Sequence, residues 1–259
     1  MSDNPVIFLG AGPGDPELIT VKGQQALARA DVIVYAGSLV SEAVLGWARP
    51  EARLIDTAPL ALEEIVLTII QAQRAGQKVV RVHSGDTSLF SAMQEQLELL
   101  EQEDVPFEVI PGVTAAAAAA AALAQELTLP ETTQTVILTR APGRTPVPER
   151  EALAALAQHG ATMAIYLSAK LIDGVAAELA GAYGPEAPVV VAYRVSWPDQ
   201  KIVRGTLATI ASLAKQAGIQ RQALILVGPA LAAWERRLTH RSRLYDRSFT
   251  HGFRSGPKD

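Results

Sequence analysis

The stretch Val6-Ile-Phe-Leu-Gly-Ala-Gly-Pro-Gly-Asp-Pro16 joins an apolar run directly to a glycine loop. Residues 20–30 follow with the composition of a helix. Asp31-Val-Ile-Val-Tyr35 is then apolar without alternation, as in a strand that is buried on both faces. The succession of strand, loop, helix and strand predicts the start of a parallel sheet with helices on its faces.

The same alternation of strand and helix continues through the first half of the chain. Further strands are predicted at 53–55, 78–82 and 107–110, and helices at 62–75 and 88–102. The second half differs, because the apolar runs at 188–195 and 201–204 are separated only by Ser196-Trp-Pro-Asp199. So short a connection predicts an antiparallel hairpin. With further strands at 134–139, 162–167 and 223–227, the second sheet is predicted to be mixed.

The chain is therefore predicted to be an α/β protein with two α/β domains, the first sheet parallel and the second mixed. We expect an N-terminal domain at 1–112, a C-terminal domain at 113–232 and a basic tail at 233–259. Ligand pockets favour domain interfaces, so a cofactor cleft between the two domains is expected. The tail has seven Lys/Arg against three Asp/Glu. It is interpreted as a solvated or dimer-contacting segment, with a polyanion site as the alternative.

Composition excludes several classes of protein. None of the 259 residues is cysteine, which rules out disulfides, thiolate metal sites and a catalytic thiol. The longest apolar stretch, 113–124, is mostly alanine and too short to span a membrane, and the first residues do not have the pattern expected of a signal peptide. A cytoplasmic protein without membrane contact is expected. The net charge of −4 argues against a nucleic-acid partner.

Three loops are candidates for chemistry. The glycine loop lacks the spacing of a dinucleotide fingerprint, because Asp15 stands where the third glycine is needed, and it is not a phosphate-binding P-loop. Asp86, beyond the strand at 78–82, either binds a ligand or caps the next helix together with Ser88. Thr114 is either a helix N-cap or a side chain facing a ligand. The four histidines do not pair at metal-ligand spacing, so no metal is predicted.

Together these segments resemble the tetrapyrrole methyltransferases, the class III S-adenosylmethionine-dependent enzymes. The resemblance covers about residues 5–230 and is carried by Gly10 to Pro16, Gly85-Asp-Thr87, Pro111-Gly-Val-Thr-Ala115, Gly205-Thr-Leu207 and Ala223 to Gly228. It departs from the family pattern at Thr87, where proline is usual, and at Ala115, where serine is common. The resemblance implies a homodimer of two α/β domains that uses S-adenosylmethionine.

Narrower segments are similar to the branch of this family that methylates carbon 11 of the tetrapyrrole precorrin-4. They are Val34 to Val40, Glu126 to Glu131, Gln134 to Arg140, Ser196 to Asp199 and Ser242 to Arg247. A cobalt-bearing precorrin-4, or another tetrapyrrole carbon, is the alternative substrate. The resemblance also implies the cofactor contacts, which are Pro13, Ser84, Gly85, Asp86, Leu89, Thr114, Ala115, Tyr166, Leu167, Arg194 and Ala223.

Transfer of a methyl group from a sulfonium needs no protein nucleophile, but a proton must leave the substrate. Asp15 and then His83 are the candidate bases, although Asp15 could instead bond the amides of its own loop. Precorrins carry several carboxylates, so cations are expected at the substrate, and the candidates are Lys22, Arg81, Arg140 and Arg144. For Arg81, inside a strand, a structural ion pair is the alternative. An NADPH-dependent reductase and a non-catalytic tetrapyrrole carrier are the rival functions.

Overall fold

The computed structural model describes residues 4–232, 242–243 and 246–255. The chain divides into two compact units. The first contains Met1–Ala122 and Arg194–Lys201, and the second contains Leu123–Tyr193 and Ile202–Asp259. The division falls inside the alanine-rich helix, ten residues after the boundary predicted at 112, because this helix continues directly from the last loop of the first unit. The predicted tail at 233–259 lies largely outside the described residues.

The first unit contains a five-stranded parallel sheet in the order β3-β2-β4-β1-β5. Its elements are β1 (Val6–Gly10), α1 (Val21–Arg29), β2 (Val32–Tyr35), α2 (Glu42–Leu45), β3 (Arg53–Asp56), α3 (Leu62–Arg74), β4 (Val79–His83), α4 (Met93–Gln102), β5 (Phe107–Ile110) and α5 (Ala115–Leu123), with a short 3-10 helix at Pro16–Leu18. The predicted parallel sheet is confirmed.

Both faces of this sheet are covered, which explains why its central strands are apolar without alternation. Phe8 of β1 packs on one face with residues of α3 and α4, such as Ile69 and Leu100. Its neighbour Leu9 packs on the other face with residues of α1, such as Leu27. Strands β1 and β4 therefore lie in the middle of the unit, and the loops that follow them are held by a rigid base.

Helix α4 begins at Met93, so the predicted start at 88 is wrong. Phe90 and Ala92 both have left-handed backbone, with φ of 53° and 51°. Non-glycine residues rarely adopt this conformation, and a helix cannot pass through it. Residues 84–92 therefore form a long loop after β4, and the first turn of the predicted helix is absent from it.

The second unit contains a five-stranded sheet in the order β6-β7-β10-β8-β9. Its elements are β6 (Val136–Arg140), α6 (Leu153–Ala157), β7 (Thr162–Tyr166), α7 (Ile172–Tyr183), β8 (Pro188–Tyr193), β9 (Lys201–Thr206), α8 (Ile210–Gln216) and β10 (Ala223–Val227), with 3-10 helices at Glu149–Glu151, Ala169–Leu171 and Pro229–Ala232. β6 pairs with β7 in parallel, whereas β10 pairs with β7 and β8 antiparallel. The predicted mixed sheet is confirmed.

The alanine-rich segment forms helix α5, as predicted. Among the residues that the structure describes, no helix has both the length and the apolar character needed to cross a bilayer.

Candidate functional site

Three loops meet where β1, β4 and β5 end. Because β1 lies between β4 and β5 and all three run in parallel, their carboxyl ends share one edge of the sheet, the edge at which open α/β sheets bind ligands. Gly12 and Gly85 exchange both of their backbone hydrogen bonds, at N···O distances of 3.1 and 2.7 Å. The glycine loop and the loop after β4 are thereby joined backbone to backbone.

The third loop joins this contact through Gly112, which follows β5. A Cβ atom on Gly112 would lie 2.2 Å from the carbonyl oxygen of Gly85, and one on Gly10 would lie 2.6 Å from the amide nitrogen of Gly112. A side chain at either position would displace backbone, which cannot yield cheaply. These glycines are needed for the close approach of the three loops.

Asp86 fixes the same junction with its carboxylate. Oδ2 accepts a hydrogen bond of 2.7 Å from the amide of Gly112, and Oδ1 accepts from the amide of Ser88 at 2.8 Å and from its hydroxyl. Partial burial alone would raise the pKa of Asp86, but these hydrogen bonds outweigh it and keep the pKa below its ordinary value. Since α4 begins only at Met93, Asp86 and Ser88 close a turn and do not cap a helix.

Asp15 ends the glycine loop at the start of the 3-10 helix. Its Oδ1 accepts a hydrogen bond of 2.9 Å from the amide of Glu17, and its own amide donates to Oγ of Ser196 at 3.0 Å. The carboxylate therefore bonds an amide of its own loop, as the structural alternative supposes. Its side chain is partly exposed, so a second role towards a ligand stays a prediction.

His83, at the end of β4, does not have the character of a base. Its side chain is 5 % exposed and stacks on Phe8 with 5.9 Å between ring centroids. Burial, and then the charge of Arg81, lower the pKa of His83 to about 3, against a hydrogen bond with the Ser91 backbone that raises it. Nε2 is buried and has no hydrogen-bond partner among the described residues. An imidazole with so low a pKa is a weak proton acceptor, which argues against the predicted role.

Arg81 is buried in β4, away from any position that suits a substrate cation. Its Nε donates to Oε1 of Gln96 at 2.9 Å, and Nη1 lies 3.3 Å from the carbonyl oxygen of Val34 and 3.4 Å from Oγ1 of Thr57. Burial lowers its pKa to about 10, which leaves it charged. The prediction of a direct substrate contact is wrong, because the side chain is only 5 % exposed. The alternative of a structural ion pair is not what the structure shows either, because the partners of Arg81 are neutral groups of Gln96, Val34 and Thr57.

Residues 194–200 belong to the first unit and contact the glycine loop. Nε1 of Trp197 donates to the carbonyl oxygen of Pro13 at 2.8 Å. The guanidinium carbon of Arg194 lies 3.9 Å from the centroid of the Trp197 ring, and its Nη1 is 2.5 Å from Oδ2 of Asp199. The sequence indicated Ser196 and Trp197 as a hairpin connection and as part of a segment that resembles the precorrin-4 branch, but it did not predict this contact.

The remaining predicted residues of the first unit lie in its loops or on α1. Ser84 and Leu89 are partly exposed in the loop after β4, and Thr114 directly precedes α5, whose first residue is Ala115. Lys22 lies apart from the loops: it is exposed on α1 and forms an ion pair with Glu108 of β5. The unit thus brings together eight of the eleven predicted cofactor contacts: Pro13, Ser84, Gly85, Asp86, Leu89, Thr114, Ala115 and Arg194.

In the second unit, Tyr166 and Leu167 end strand β7. Leu167 has φ of 55°, and its side chain is 70 % exposed, an unfavourable combination for a leucine that usually marks a functional position. The buried Ser168 shapes this turn, because its Oγ donates to the Tyr166 carbonyl at 2.7 Å and accepts from the amide of Ala141 at 2.8 Å. Ser168 was not predicted, since a lone serine has no distinguishing signal.

Arg140 and Arg144 have different environments in the loop after β6. The guanidinium of Arg140 donates to the carbonyl oxygens of Thr145 at 3.1 Å and Pro146 at 2.6 Å, so it organises its own loop. Arg144 is exposed at the tip of that loop. Arg144 is therefore the better-placed cation of the two for an external carboxylate.

Ala223, the last predicted cofactor contact, begins β10 and lies opposite Tyr193 of β8.

Comparison with known proteins gives a consistent family. The model of the tetrapyrrole (corrin/porphyrin) methylases matches residues 5–211. A cobalt-precorrin-4 C(11)-methyltransferase of Priestia megaterium is 51 % identical over 252 residues, 97 % of this chain and 98 % of the relative. A precorrin-4 C(11)-methyltransferase of Pseudomonas aeruginosa is 51 % identical over 228 residues, 88 % of this chain and 91 % of the relative.

Solved structures agree with the sequences. The X-ray structure of a cobalt precorrin-4 methyltransferase of cobalamin biosynthesis superposes with a TM-score of 0.86 at 50 % identity, covering 88 % of this chain and 95 % of that one. A uroporphyrin-III C-methyltransferase of Thermus thermophilus, complexed with S-adenosylhomocysteine, gives 0.72 at 27 % identity over 87 % and 92 %. Because the family model spans most of the chain and the relatives match over nearly their whole lengths, the chain belongs to the tetrapyrrole (corrin/porphyrin) methylases.

Proposed function

We propose that this protein transfers a methyl group from S-adenosylmethionine to carbon 11 of precorrin-4, giving precorrin-5, a step in building the corrin ring. The observation that carries the proposal is the 51 % identity, over 88 % or more of the chain, to relatives named for this position of the ring. Cobalt-precorrin-4 is the second candidate substrate, because the relative named for it is equally identical.

The loops of the first unit fit a methyl donor of this kind. Gly85 has φ of 65°, and no atom lies within 4 Å of the position where its Cβ would be, so its backbone presents open space. Nε of Arg194 is buried and has no partner among the described residues, which leaves a donor for an acceptor atom. S-adenosylmethionine, when bound, supplies the methyl group as an electrophile on its sulfonium. The residues proposed to hold it are Pro13, Ser84, Gly85, Asp86, Leu89, Thr114, Ala115, Tyr166, Leu167, Arg194 and Ala223.

The protein's contribution to such a reaction is mainly positioning. Holding two reactants in line can lower a barrier by roughly 7–11 kcal/mol without any group of the protein being consumed. The three joined loops suit this task, since their shape is set by backbone contacts at Gly12, Gly85 and Gly112. A preorganised backbone does not have to be ordered again in each cycle, so the energy of binding remains available for orientation.

Proton removal and substrate recognition are assigned to groups that solvent can reach. Asp15 is proposed as the base, because its carboxylate is partly exposed beside the glycine loop. Arg144 and Lys22 are proposed to bind substrate carboxylates, although Lys22 must first leave its ion pair with Glu108.

The variant Asp15→Asn tests the proposed base, because it removes the titrating group and keeps an oxygen that can accept from the amide of Glu17. It should lower kcat at least tenfold with little change in cofactor affinity, and an unchanged kcat would show that Asp15 is only structural.

The homodimer and the cytoplasmic location remain part of this proposal. Light scattering during gel filtration tests the first, and a mass near 27.5 kDa, that of one chain, would contradict it. Fractionation of cells that express the full chain tests the second.

The decisive experiment supplies purified precorrin-4 and cobalt-precorrin-4 separately, each with a donor carrying a 13C-labelled methyl group, and locates the label by NMR. Label on carbon 11 of either substrate supports the proposal and identifies the preferred form. Label on another carbon contradicts the proposal, and so does the absence of label from both substrates when the methyl donor is intact. Calorimetry with S-adenosylhomocysteine and with NADPH runs in parallel, and binding of NADPH alone would favour a reductase.

A matched pair of glycine variants adds a test of the cofactor site. Gly85 and Gly160 have similar φ of 65° and 61°, and neither has an atom within 4 Å of an added Cβ. Gly85→Ala and Gly160→Ala therefore carry the same backbone cost, about 1 kcal/mol each. Only Gly85→Ala should abolish binding of S-adenosylhomocysteine, because only there would the methyl group fill ligand space. Equal affinities in the two variants would exclude Gly85 from the site.

A further inference from the structure

The glycine loop is held from outside by three side chains that are distant in sequence. Nε1 of Trp197 donates to the carbonyl oxygen of Pro13 at 2.8 Å, and Oγ of Ser196 accepts from the amide of Asp15 at 3.0 Å. Nε1 of Trp47 donates to the carbonyl oxygen of Pro16 at 3.1 Å. Three polar backbone groups within four residues are thus bound by side chains from elsewhere in the first unit.

Trp197 lies directly on the loop. A Cβ atom added to Gly14 would be 2.1 Å from both Cδ1 and Nε1 of Trp197. The absence of a side chain at Gly14 is therefore what allows the indole to reach Pro13. This gives the third glycine of the loop a function that is separate from phosphate or cofactor approach, because its space is occupied by the protein itself.

The segment that carries Ser196 and Trp197 is itself fixed. Arg194 stacks on the Trp197 ring at 3.9 Å and pairs with Asp199 at 2.5 Å, and the amide of Ser196 donates to Oε1 of Gln200 at 2.7 Å. Arg194 and Ser196 both have positive φ, 42° and 69°. Strained backbone of this kind persists only where surrounding contacts determine it, and it clusters at functional sites.

We propose that Ser196 and Trp197, supported by Trp47, are positioning residues for the methyl transfer, which hold the glycine loop in the shape that its cofactor and proton contacts require. The loop needs such support because glycine-rich backbone loses the most conformational freedom on ordering and offers few side chains for packing. This inference rests on the proposed function, because the roles of Pro13 as a cofactor contact and of Asp15 as the base are themselves parts of that proposal.

The test compares Trp197→Phe and Ser196→Ala with the control Tyr183→Phe in the full chain. Tyr183 lies in the second unit and donates to the carbonyl oxygen of Ala161 at 2.6 Å, so its variant also removes one ring donor from one backbone carbonyl. Calorimetry gives the affinity for S-adenosylhomocysteine well below the unfolding midpoint, and hydrogen exchange follows the amides of residues 10–16. The affinity of the folded protein does not depend on a uniform loss of stability, and faster exchange confined to residues 10–16 distinguishes a local opening from such a loss.

Trp197→Phe and Ser196→Ala should each weaken binding about fivefold, the equivalent of one hydrogen bond, and should speed exchange of the Asp15 amide. The kcat of both variants should fall more than their KM for the tetrapyrrole changes, and Tyr183→Phe should match the wild type throughout. Unchanged affinity and unchanged exchange in both variants would overturn the inference. Faster exchange in a protein whose wild type does not bind S-adenosylhomocysteine would keep the loop contact and reject the proposed function instead.

Discussion

His83 makes the unfolding free energy of this protein depend on pH in a way that can be calculated. In the folded state its side chain is 5 % exposed, and burial followed by the charge of Arg81 lowers its pKa to about 3. In the unfolded chain an ordinary histidine pKa of about 6.5 applies. Between these two values the unfolded state binds a proton that the folded state does not, so the free energy of unfolding falls as the pH falls.

The size of the effect follows from the slope of 1.36 kcal/mol per pH unit for one proton. Because the unfolded histidine is only half protonated at pH 6.5, the folded protein should lose about 1.6 kcal/mol through His83 alone from pH 6.5 to 5.0. This figure holds for any folded-state pKa below roughly 4, because the folded histidine is then neutral throughout the interval. Above pH 7 His83 contributes no pH dependence.

Urea unfolding of the wild type and of His83→Asn at pH 7.5, 6.5 and 5.0 measures this effect. Asparagine can keep a hydrogen bond to the Ser91 backbone but does not titrate, so the difference between the two proteins isolates His83 from the other histidines. The stability advantage of the wild type should shrink by about 2 kcal/mol between pH 7.5 and 5.0. A difference that stays constant within 0.5 kcal/mol across the three pH values would show that His83 titrates normally when folded.

Two further predictions concern packing in the first unit. Gly112→Ala should destabilise the protein by about 1–3 kcal/mol and reduce affinity for S-adenosylhomocysteine, because the added methyl group would lie 2.2 Å from the Gly85 carbonyl oxygen. The control is Gly143→Ala, for which the nearest contact of the added methyl group would be 3.8 Å. This control should change neither the thermal melt nor the affinity measured by calorimetry. Gln96→Leu should lower the free energy of unfolding in urea by about 2 kcal/mol, because it leaves the buried Arg81 guanidinium without its partner at 2.9 Å. Adding Arg81→Met to this variant should recover part of the loss. Equal destabilisation of the single and double variants would contradict the argument.

Sequence patterns predicted the parts of the fold that depend on local chemistry. Unalternated apolar runs identified the strands that are buried on both faces, and the short connection at 196–199 identified the neighbouring strands β8 and β9. The loops at Gly10 and Gly85 were also recognised as candidates for chemistry. Part of their role is contact with each other, as the paired Gly12 and Gly85 show.

What the sequence did not reveal depends on contacts between distant residues. The late start of α4 follows from left-handed backbone at Phe90 and Ala92. Neither residue is a glycine or an asparagine, the types that would indicate such backbone in a sequence. Arg81 has the residue type of a substrate cation, and only its burial against Gln96 separates it from that role. The contact of Trp197 with Pro13 spans 184 positions, so no local pattern could predict it.

In the loop after β4, Thr87 stands where the resemblance to the family leads us to expect proline, and it is buried at 3 % exposure. Its carbonyl oxygen accepts a hydrogen bond from the hydroxyl of Ser91, within the loop before α4. Proline also has a carbonyl but lacks an amide hydrogen, so this interaction is available to both residues. A loop stabilised through carbonyl groups constrains backbone shape more than side-chain identity, and Thr87→Pro should therefore leave both Ser91 and the Asp86 turn in place.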